Sequence, residues 1–289
     1  MASIFADRQT LDTGTNELLC ELENRVATIT LNRPEKRNAL SDQLTPALRS
    51  MLLQLDTRAD VGCVVITGKG TTFCAGGDVS GMGSSKNAED QDNDPPKPSR
   101  EDRIRELQIK QATLTLRLHE LTKPTIAALP GAAAGAGLSI ALACDIRIAA
   151  ESAFITTAFR NVGLSGDYGC SWFMTRLAGP AVAKELFLSS RRVAATECVS
   201  LGLINRVVAA DQLHSETRVL AETIASGPAL AQRFMKENLN RAITQDLKTC
   251  LDMEADRLIR SSNSPDHSEA VKAFMEKRSP EFNKPAFNK

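Results

Sequence analysis

The sequence predicts an α/β fold in which short strands alternate with helices and a mostly helical segment closes the chain. Two observations support this prediction. Apolar runs at 63–67, 125–129 and 145–149 have the length and composition of buried strands, and leucine-rich segments between and after them have helical spacing. With 289 residues and 42% apolar content, the chain can form one large domain, with or without an appended helical piece.

The first elements are a predicted hairpin and a predicted helix. Residues 16–31 alternate between apolar and polar residues around Glu23-Asn24, which indicates two short strands joined by a turn. Ser41 has the position of a helix cap. The helix that it would begin carries an apolar stripe at helical spacing: Leu44, Leu48, Met51, Leu52 and Leu55.

Residues 82–101 contain no core-forming residue apart from Met82, so they are predicted to form a surface loop. A leucine-rich helix over about 102–121 follows and ends before Pro124. After the strand at 125–129 the sequence predicts a loop of small residues at 130–137, a short helix and the strand at 145–149. Beyond Gly179 the chain is predicted to be mostly helical. Its interruptions are a strand-like segment at 204–208 and breaks at Gly227-Pro228 and Ser264-Pro265.

Composition argues against several classes of protein. The 35 basic and 35 acidic residues balance, so no bulk charge attracts nucleic acid or an anionic membrane. The most apolar segment, 126–150, is too interrupted to span a bilayer, and residues 1–15 lack the pattern of a secretory signal. Seven scattered cysteines without CxxC spacing predict reduced core residues and a cytoplasmic location. The three histidines show no metal-ligand spacing, so no metal is expected.

Two turns rich in glycine and alanine, at 73–79 and 130–138, each follow an apolar strand and lead into a helix. Small side chains allow a ligand to approach the backbone, and the first amides of a helix are unpaired donors. Two such turns facing each other would clamp one carbonyl oxygen. Tight strand-to-helix packing and a phosphate cradle are the alternatives, although neither turn matches a dinucleotide or P-loop motif.

Five segments in this order and spacing resemble the crotonase (enoyl-CoA hydratase/isomerase) superfamily over about residues 18–282. They are LNRPEKRNAL (31–40), FCAGGDV (73–79), KPTIAALPGAAAGAG (123–137), ACDIRIA (143–149) and AFMEKRSPEF (273–282). The resemblance implies a ClpP-like spiral of strand-strand-helix units at 16–205. It also implies a helical region at 206–289 that covers the site and forms a homotrimer or homohexamer.

The resemblance also implies roles for residues. Gly77 and Ala136 match the amides that hold a thioester oxygen. The resemblance places the other positions near the acyl-CoA: Lys36, Arg37, Asn38, Ala39, Ala75, Gly76, Asp78 and Val79 within one subunit, and Phe274 and Lys277 against the CoA of a neighbouring subunit. The reaction then needs no separate cofactor, because coenzyme A is part of the substrate. From its position, Asp78 is expected to cap the following helix rather than to do chemistry.

The departures from the family pattern bear on the reaction. Ser139 and Phe159 occupy the positions of the two hydratase glutamates, and neither can act as a general base. Asp167 occupies a position where related isomerases carry their proton-shuttling aspartate. The surrounding segments look closest to the epoxide isomerases of phenylacetyl-CoA breakdown and to related enoyl-CoA isomerases. The sequence therefore predicts a double-bond or epoxide isomerase that uses Asp167.

Three alternatives stay open. Ser139 could hold a water molecule in an enoyl-CoA hydratase. The chain could instead bind acyl-CoA without turning it over. Asp167 itself could be only a turn former between glycines.

Overall fold

The computed structural model describes residues 8–78 and 98–284, and it contains two sheets. The larger sheet has seven strands in the order β1-β2-β3-β4-β6-β8-β11, numbered along the chain. The first three strands pair antiparallel and the remaining neighbours pair parallel. Their bounds are β1 (Gln9–Leu11), β2 (Leu18–Glu23), β3 (Val26–Leu31), β4 (Cys63–Gly68), β6 (Thr125–Leu129), β8 (Ile146–Ala150) and β11 (Arg206–Val208).

The second sheet has four short strands in the order β10-β9-β7-β5, and β5, β7 and β9 run parallel. Their bounds are β5 (Thr72–Cys74), β7 (Ala132–Ala134), β9 (Phe154–Thr156) and β10 (Val193–Ala194). Sequence reasoning assigned β7 to a loop, because a three-residue run of alanines carries no strand signal.

Ten α-helices lie in the described part of the chain. They are α1 (Leu44–Thr57), α2 (Arg100–Gln111), α3 (Arg117–Glu120), α4 (Ala136–Ala143), α5 (Cys170–Ser189), α6 (Ala195–Ser200), α7 (Leu213–Ala225), α8 (Ala229–Ala242), α9 (Leu247–Ser262) and α10 (Pro265–Met275). Three successive units, β4-β5-α2, β6-β7-α4 and β8-β9-α5, each place one strand in each sheet before a helix. This arrangement confirms the predicted spiral of strand-strand-helix units.

The predicted hairpin and helix cap are both present. Strands β2 and β3 pair in register, and the turn between them places Asn24 and Arg25 at φ 49° and 65°, the left-handed angles of a tight hairpin turn. The Ser41 hydroxyl accepts hydrogen bonds from the amides of Gln43 (3.2 Å) and Leu44 (3.0 Å), so it caps the first turn of α1.

Helix α4 lies at the centre of the core, and all eight of its residues are buried. Gly137 allows this position, because a methyl group there would lie 2.5 Å from the Cys74 carbonyl oxygen and 2.7 Å from its sulfur. All seven cysteines are free, and all but Cys250 are buried. Burial raises the pKa of the Cys74 thiol to about 12, which keeps it protonated.

The predicted boundary between 205 and 206 falls inside the larger sheet. Strand β11 pairs with β8, and α7 packs its buried Leu213, Ala221 and Ala225 against the strands. Residues 206–225 therefore pack with the larger sheet, and α8, α9 and α10 follow them along the chain. Lys236 ties α8 to the core through an ion pair with Asp145 at 2.8 Å. None of the described helices is long and apolar enough to cross a membrane.

Candidate active site

Three parallel strands of the second sheet end at the same edge, and their continuations form the centre of the candidate site. Strand β5 leads into Gly76-Gly77, β7 leads into Gly135-Ala136, and β9 leads towards Phe159. The carboxyl ends of neighbouring parallel strands necessarily lie side by side. Sheet topology thus brings together the two glycine-rich turns that the sequence analysis singled out.

Gly77 presents its amide on the side of the chain that faces away from Leu40. The Gly76 carbonyl accepts from Leu40 N–H at 2.8 Å, and Asp78 N–H donates to the Leu40 carbonyl at 3.1 Å. Successive amides of an extended segment point to opposite sides, so the Gly77 N–H points away from this pairing. Gly77 is exposed, and a methyl group added there would meet no described atom within 4 Å.

The two turns approach each other closely at Gly76. Its φ of 95° is a conformation that favours glycine. A methyl group at Gly76 would lie 3.0 Å from the Ala134 carbonyl oxygen and 3.5 Å from the Ala136 amide nitrogen. Ala136 is the first residue of α4, where helix amides have no acceptor within the helix. Two main-chain segments with amide donors therefore meet at the amino end of a buried helix.

Asp167 lies half-buried in the turn that precedes α5, and one of its carboxylate oxygens, Oδ1, is buried without a hydrogen-bond partner. Burial raises the pKa of Asp167 to about 6 from the ordinary value of 3.8, because the ionised form loses hydration. Buried carboxylates are normally paired or hydrogen-bonded, so an unpartnered oxygen with a raised pKa is typical of a functional site.

Ser139 and Phe159 lie beside the same region, and the side chain of each contacts other protein groups. Ser139 is fully buried. Its hydroxyl is within hydrogen-bond distance of two main-chain oxygens that can accept from it, those of Gly135 (3.2 Å) and Asp167 (3.1 Å). Phe159 is buried and stacks on Phe187 with 5.9 Å between ring centroids. A methyl group at Gly135 would lie 3.7 Å from the Phe159 ring. This side of the site is therefore apolar and closely packed.

The turn at 36–39 divides its residues between solvent and core. Lys36 and Arg37 are exposed, whereas Asn38 and Ala39 are buried. The Asn38 side chain accepts from Arg33 N–H (2.9 Å) and donates to the carbonyls of Lys69 (3.0 Å) and Thr72 (2.7 Å). These bonds use its amide internally. The side chains of Asn38 and Ala39 therefore face inwards, and the contact of this turn with the CoA stays a prediction.

The first glycine-rich turn includes three other predicted contact residues. Ala75 is exposed, and Asp78 forms an ion pair with Arg33 at 3.1 Å. Val79 lies outside the described residues, as does most of the predicted loop at 82–101. Arg37 and Ala75 line a cavity of about 250 Å³ together with Arg192, a cation that the sequence analysis did not single out.

Phe274 lies in the last turn of α10 and Lys277 lies two residues after its end. Both residues are exposed, Phe274 by 82%. No described contact joins either residue to the two turns or to Asp167 within one subunit. A larger cavity of about 380 Å³ lies elsewhere, at the carboxyl end of α4, where Trp172 packs edge-on against His119. Trp172 therefore belongs to a second aromatic cluster, away from Phe159. Within residues 8–78 and 98–284, no group of three acidic, histidine or cysteine residues is arranged to hold a metal.

Comparisons with known proteins agree with this architecture. Residues 21–285 match the family described as enoyl-CoA hydratase/isomerase. The chain is 37% identical over 265 residues to a 1,2-epoxyphenylacetyl-CoA isomerase of Escherichia coli, covering 92% of this chain and 97% of that protein. It is 31% identical to a short-chain-enoyl-CoA hydratase of Clostridium acetobutylicum, covering 91% and 96% of the two chains.

The solved structures include an enoyl-CoA hydratase of Mycobacterium smegmatis. It superimposes with a TM-score of 0.82 at 30% identity, covering 93% of this chain and all of the other. The chain belongs to the enoyl-CoA hydratase/isomerase family of acyl-CoA enzymes.

Proposed function

We propose that this protein is an acyl-CoA isomerase in which Asp167 removes a proton from one carbon of the acyl chain and returns it to another. The observation that carries the proposal is the Asp167 carboxylate, with a buried, unpartnered oxygen and a pKa raised to about 6. A general base works best when its pKa lies near the operating pH. Burial moves this aspartate towards that range.

The two turns supply the second requirement, stabilisation of the thioester enolate. The Gly77 and Ala136 amides would bind the oxygen that gains charge when the α-proton leaves. Gly77 points its N–H away from the Leu40 pairing, and the close approach of Gly76 to Ala136 brings the two donors to one region. Preorganised amide donors of this kind each lower such barriers by about 3 kcal/mol.

Hydration of an enoyl-CoA is the first alternative, and the surroundings of Ser139 weigh against it. Adding water requires a group that positions the water molecule as well as one that moves its proton. The Ser139 hydroxyl is fully buried and lies against two main-chain oxygens, and Phe159 offers only an apolar ring. Asp167 is then the remaining acid at the family's site positions, which suits a proton shift.

Binding of acyl-CoA without turnover is the second alternative, and the desolvated carboxylate speaks against it. A protein that only binds the thioester has no use for a buried, unpartnered Asp167 oxygen, which destabilises the fold. The 37% identity to a 1,2-epoxyphenylacetyl-CoA isomerase also favours an isomerase, and it adds ring-epoxide thioesters to the candidate substrates.

The CoA moiety would lie along the surface that begins at the exposed Ala75. Lys36 and Arg37 are exposed there and would contact or steer its phosphates, while Asp78 shapes the turn through Arg33. No separate cofactor is needed, because the thioester itself activates the proton.

A homotrimer or homohexamer would bring Phe274 and Lys277 to the CoA on a neighbouring subunit. The apolar residues that α8, α9 and α10 leave exposed support such an assembly. They include Leu239 (71% exposed), Leu251 (54%) and Phe274 (82%).

The proposal is tested by product analysis in ¹⁸O-labelled water with a panel of 2-enoyl-, 3-enoyl- and ring-epoxide CoA thioesters. Isomerisation predicts a shifted double bond, or a rearranged ring, without incorporation of label. Label in a 3-hydroxyacyl product would establish hydration instead. Absence of any product, with retained binding of the thioesters, would establish the binding protein.

A further inference from the structure

The turn that carries Asp167 has a backbone that does not hold its shape unaided. Gly166, Tyr168 and Gly169 have φ angles of 116°, 50° and 77°. Glycine accepts such angles easily, but for Tyr168 the left-handed conformation costs on the order of 1–3 kcal/mol. A non-glycine residue stays in this conformation only when its surroundings determine it. The contacts of Tyr168 therefore show what holds the turn that carries Asp167.

Side chains from three helices, α1, α2 and α4, hold the turn that carries the carboxylate. The Tyr168 amide donates to the Gln111 Oε1 atom at 2.6 Å, and the Tyr168 hydroxyl accepts from Arg49 of α1 at 3.2 Å. On the other side, the Ser139 hydroxyl donates to the Asp167 main-chain oxygen at 3.1 Å. The backbone around Asp167 is thus bonded to protein, while its Oδ1 atom has no partner.

Gln111 occupies a special place in its helix. It is the last residue of α2, and the chain continues through a π-helical turn at Ala112–Leu116 before α3. A π turn contains more residues than an α turn, so it rotates the side chains of α2 about the helix axis relative to those of α3. Such turns occur frequently at functional sites. Here the π turn directly follows Gln111, whose side-chain oxygen accepts the hydrogen bond from the Tyr168 amide.

We infer that Gln111 is a positioning residue for the reaction, whose side-chain oxygen fixes the Tyr168 backbone and thereby holds the Asp167 carboxylate in its buried orientation. The inference rests on the proposed role of Asp167 as the base. No described contact joins Gln111 to the proposed clamp or to the carboxylate itself, and Gln111 acts through one main-chain hydrogen bond. The family match and the sequence pattern assign it no role.

Among residues 8–78 and 98–284, Tyr168 and Cys170 are titratable groups that interact with Asp167, and Arg49 and Lys110 act on Tyr168 from α1 and α2. Gln111 is uncharged, so its replacement by another uncharged residue changes no charge near the carboxylate. Any change in the titration of Asp167 in such a variant then reports a change in position and solvation.

The first experiment needs no substrate. The Asp167 carboxyl is titrated by ¹³C NMR in the unmodified protein and in Gln111→Leu, with the signal assigned by its absence in Asp167→Asn. Loss of the acceptor should free the turn, hydrate the carboxylate and lower its pKa from about 6 towards 3.8. Gln111→Asn, whose oxygen is one methylene too short, should do the same and serves if the leucine variant does not fold. An unchanged titration in a folded variant would overturn the inference.

The second experiment uses turnover of the thioester that the substrate panel identifies. Gln111→Leu should lower kcat by about tenfold to a hundredfold, as small misplacements of a catalytic group do, with KM changed less than about threefold. Gln111→Glu keeps the acceptor and should retain more activity. Its added negative charge should move the midpoint of the pH profile upwards. Gln108→Leu, an exposed glutamine one turn earlier in α2, is the matched control and should leave activity and titration unchanged.

The outcomes separate this inference from the proposed function. Full activity of Gln111→Leu beside an inactive Asp167→Asn would overturn the role of Gln111 and leave the base in place. A fully active Asp167→Asn would remove the base itself. A loss of thermal stability in Gln111→Leu, with the titration and kcat unchanged, would make Gln111 a structural residue only and would also overturn the inference.

Discussion

The turn at 36–39 and the turn at 166–169 have similar backbone angles, but the charged side chains of the first are exposed and the carboxylate of the second is partly buried. Both contain non-glycine residues at left-handed angles, with φ 53° at Arg37 and 50° at Tyr168. Both are held by a side-chain amide, that of Asn38 in the first and that of Gln111 in the second. The first turn sends its charged side chains into solvent and its amide into the core. The second turn sends its carboxylate inwards.

The difference teaches how one chain with no net charge can both attract and transform an anionic thioester. An exposed cation keeps its hydration and contributes a field that salt screens. A buried carboxylate loses hydration, and its pKa rises. Under the proposed function, the first turn serves capture and the second serves proton transfer. Four predictions test this division, in descending order of expected effect.

Asp167→Asn should have the largest effect, because it keeps the size of the side chain and removes the base. Turnover should fall by about 10²- to 10⁴-fold, while KM stays within a few-fold. Steady-state kinetics on the identified thioester measure both quantities. Asparagine suits a turn almost as well as aspartate, so a role as turn former predicts full activity. Full activity of Asp167→Asn would show that the second turn does not serve proton transfer.

Gly77→Pro should rank next, because it deletes one amide donor of the proposed clamp. The expected loss in kcat is about 10²- to 10³-fold, the usual effect of removing one such donor. Gly77→Ala is the matched control: it keeps the N–H, and its methyl group meets no described atom within 4 Å. The alanine variant should retain far more activity. Equal losses in both variants would assign the effect to side-chain size and not to the donor.

The pH dependence of kcat and of stability should reflect Asp167 in the second turn and not the cations of the first turn. The base must be ionised, so kcat should be level above about pH 7 and fall about tenfold per pH unit well below 6. Because the folded pKa lies above the ordinary 3.8, folding favours the protonated form. This stabilising contribution is present below pH 3.8 and is lost as the pH rises through about 6. Denaturation at about pH 4.5 and about pH 7 should show Asp167→Asn gaining stability relative to the unmodified protein at the higher pH.

Charge removal at the first turn should have the smallest effect. Lys36→Gln and Arg37→Gln should each raise KM a few-fold with kcat little changed, because exposed cations steer and bind phosphates without touching the reaction. The increase in KM should shrink at high ionic strength, where the field is screened. A loss of kcat that does not depend on salt would show that these side chains reach the reacting groups.

Sequence reasoning predicted the main-sheet strands at 63–67 and 125–129 well, since apolar, β-branched runs between turn signals leave few alternatives. It missed β7, because three alanines in a glycine-rich turn look the same as a loop until a second sheet forms. The inward direction of Asn38 depends on carbonyls more than 30 residues away. Such long-range partners leave no local pattern.

The candidate site divides in the same way. The position of Asp167 followed from the resemblance to a family, which transfers a residue at a fixed spacing. The unpartnered Oδ1 atom and the support from Gln111 required coordinates, because Gln111 and Tyr168 are 57 residues apart. The spacing of the family's motifs indicated Asp167 as the acid, and the contacts in the structure indicated Gln111 as its support.

The six buried thiols can report local opening of the folded protein, because a thiol reacts with a probe only when the segment around it opens. With their pKa values near 12, Cys74 and Cys170 stay protonated and sheltered in the closed molecule, whereas Cys250 is partly exposed. A maleimide probe should therefore label one cysteine quickly and the others only as local segments open. Cys74 packs against Gly137, and Cys170 comes three residues after Asp167. The order in which these thiols become labelled would rank how firmly each wall of the site is held.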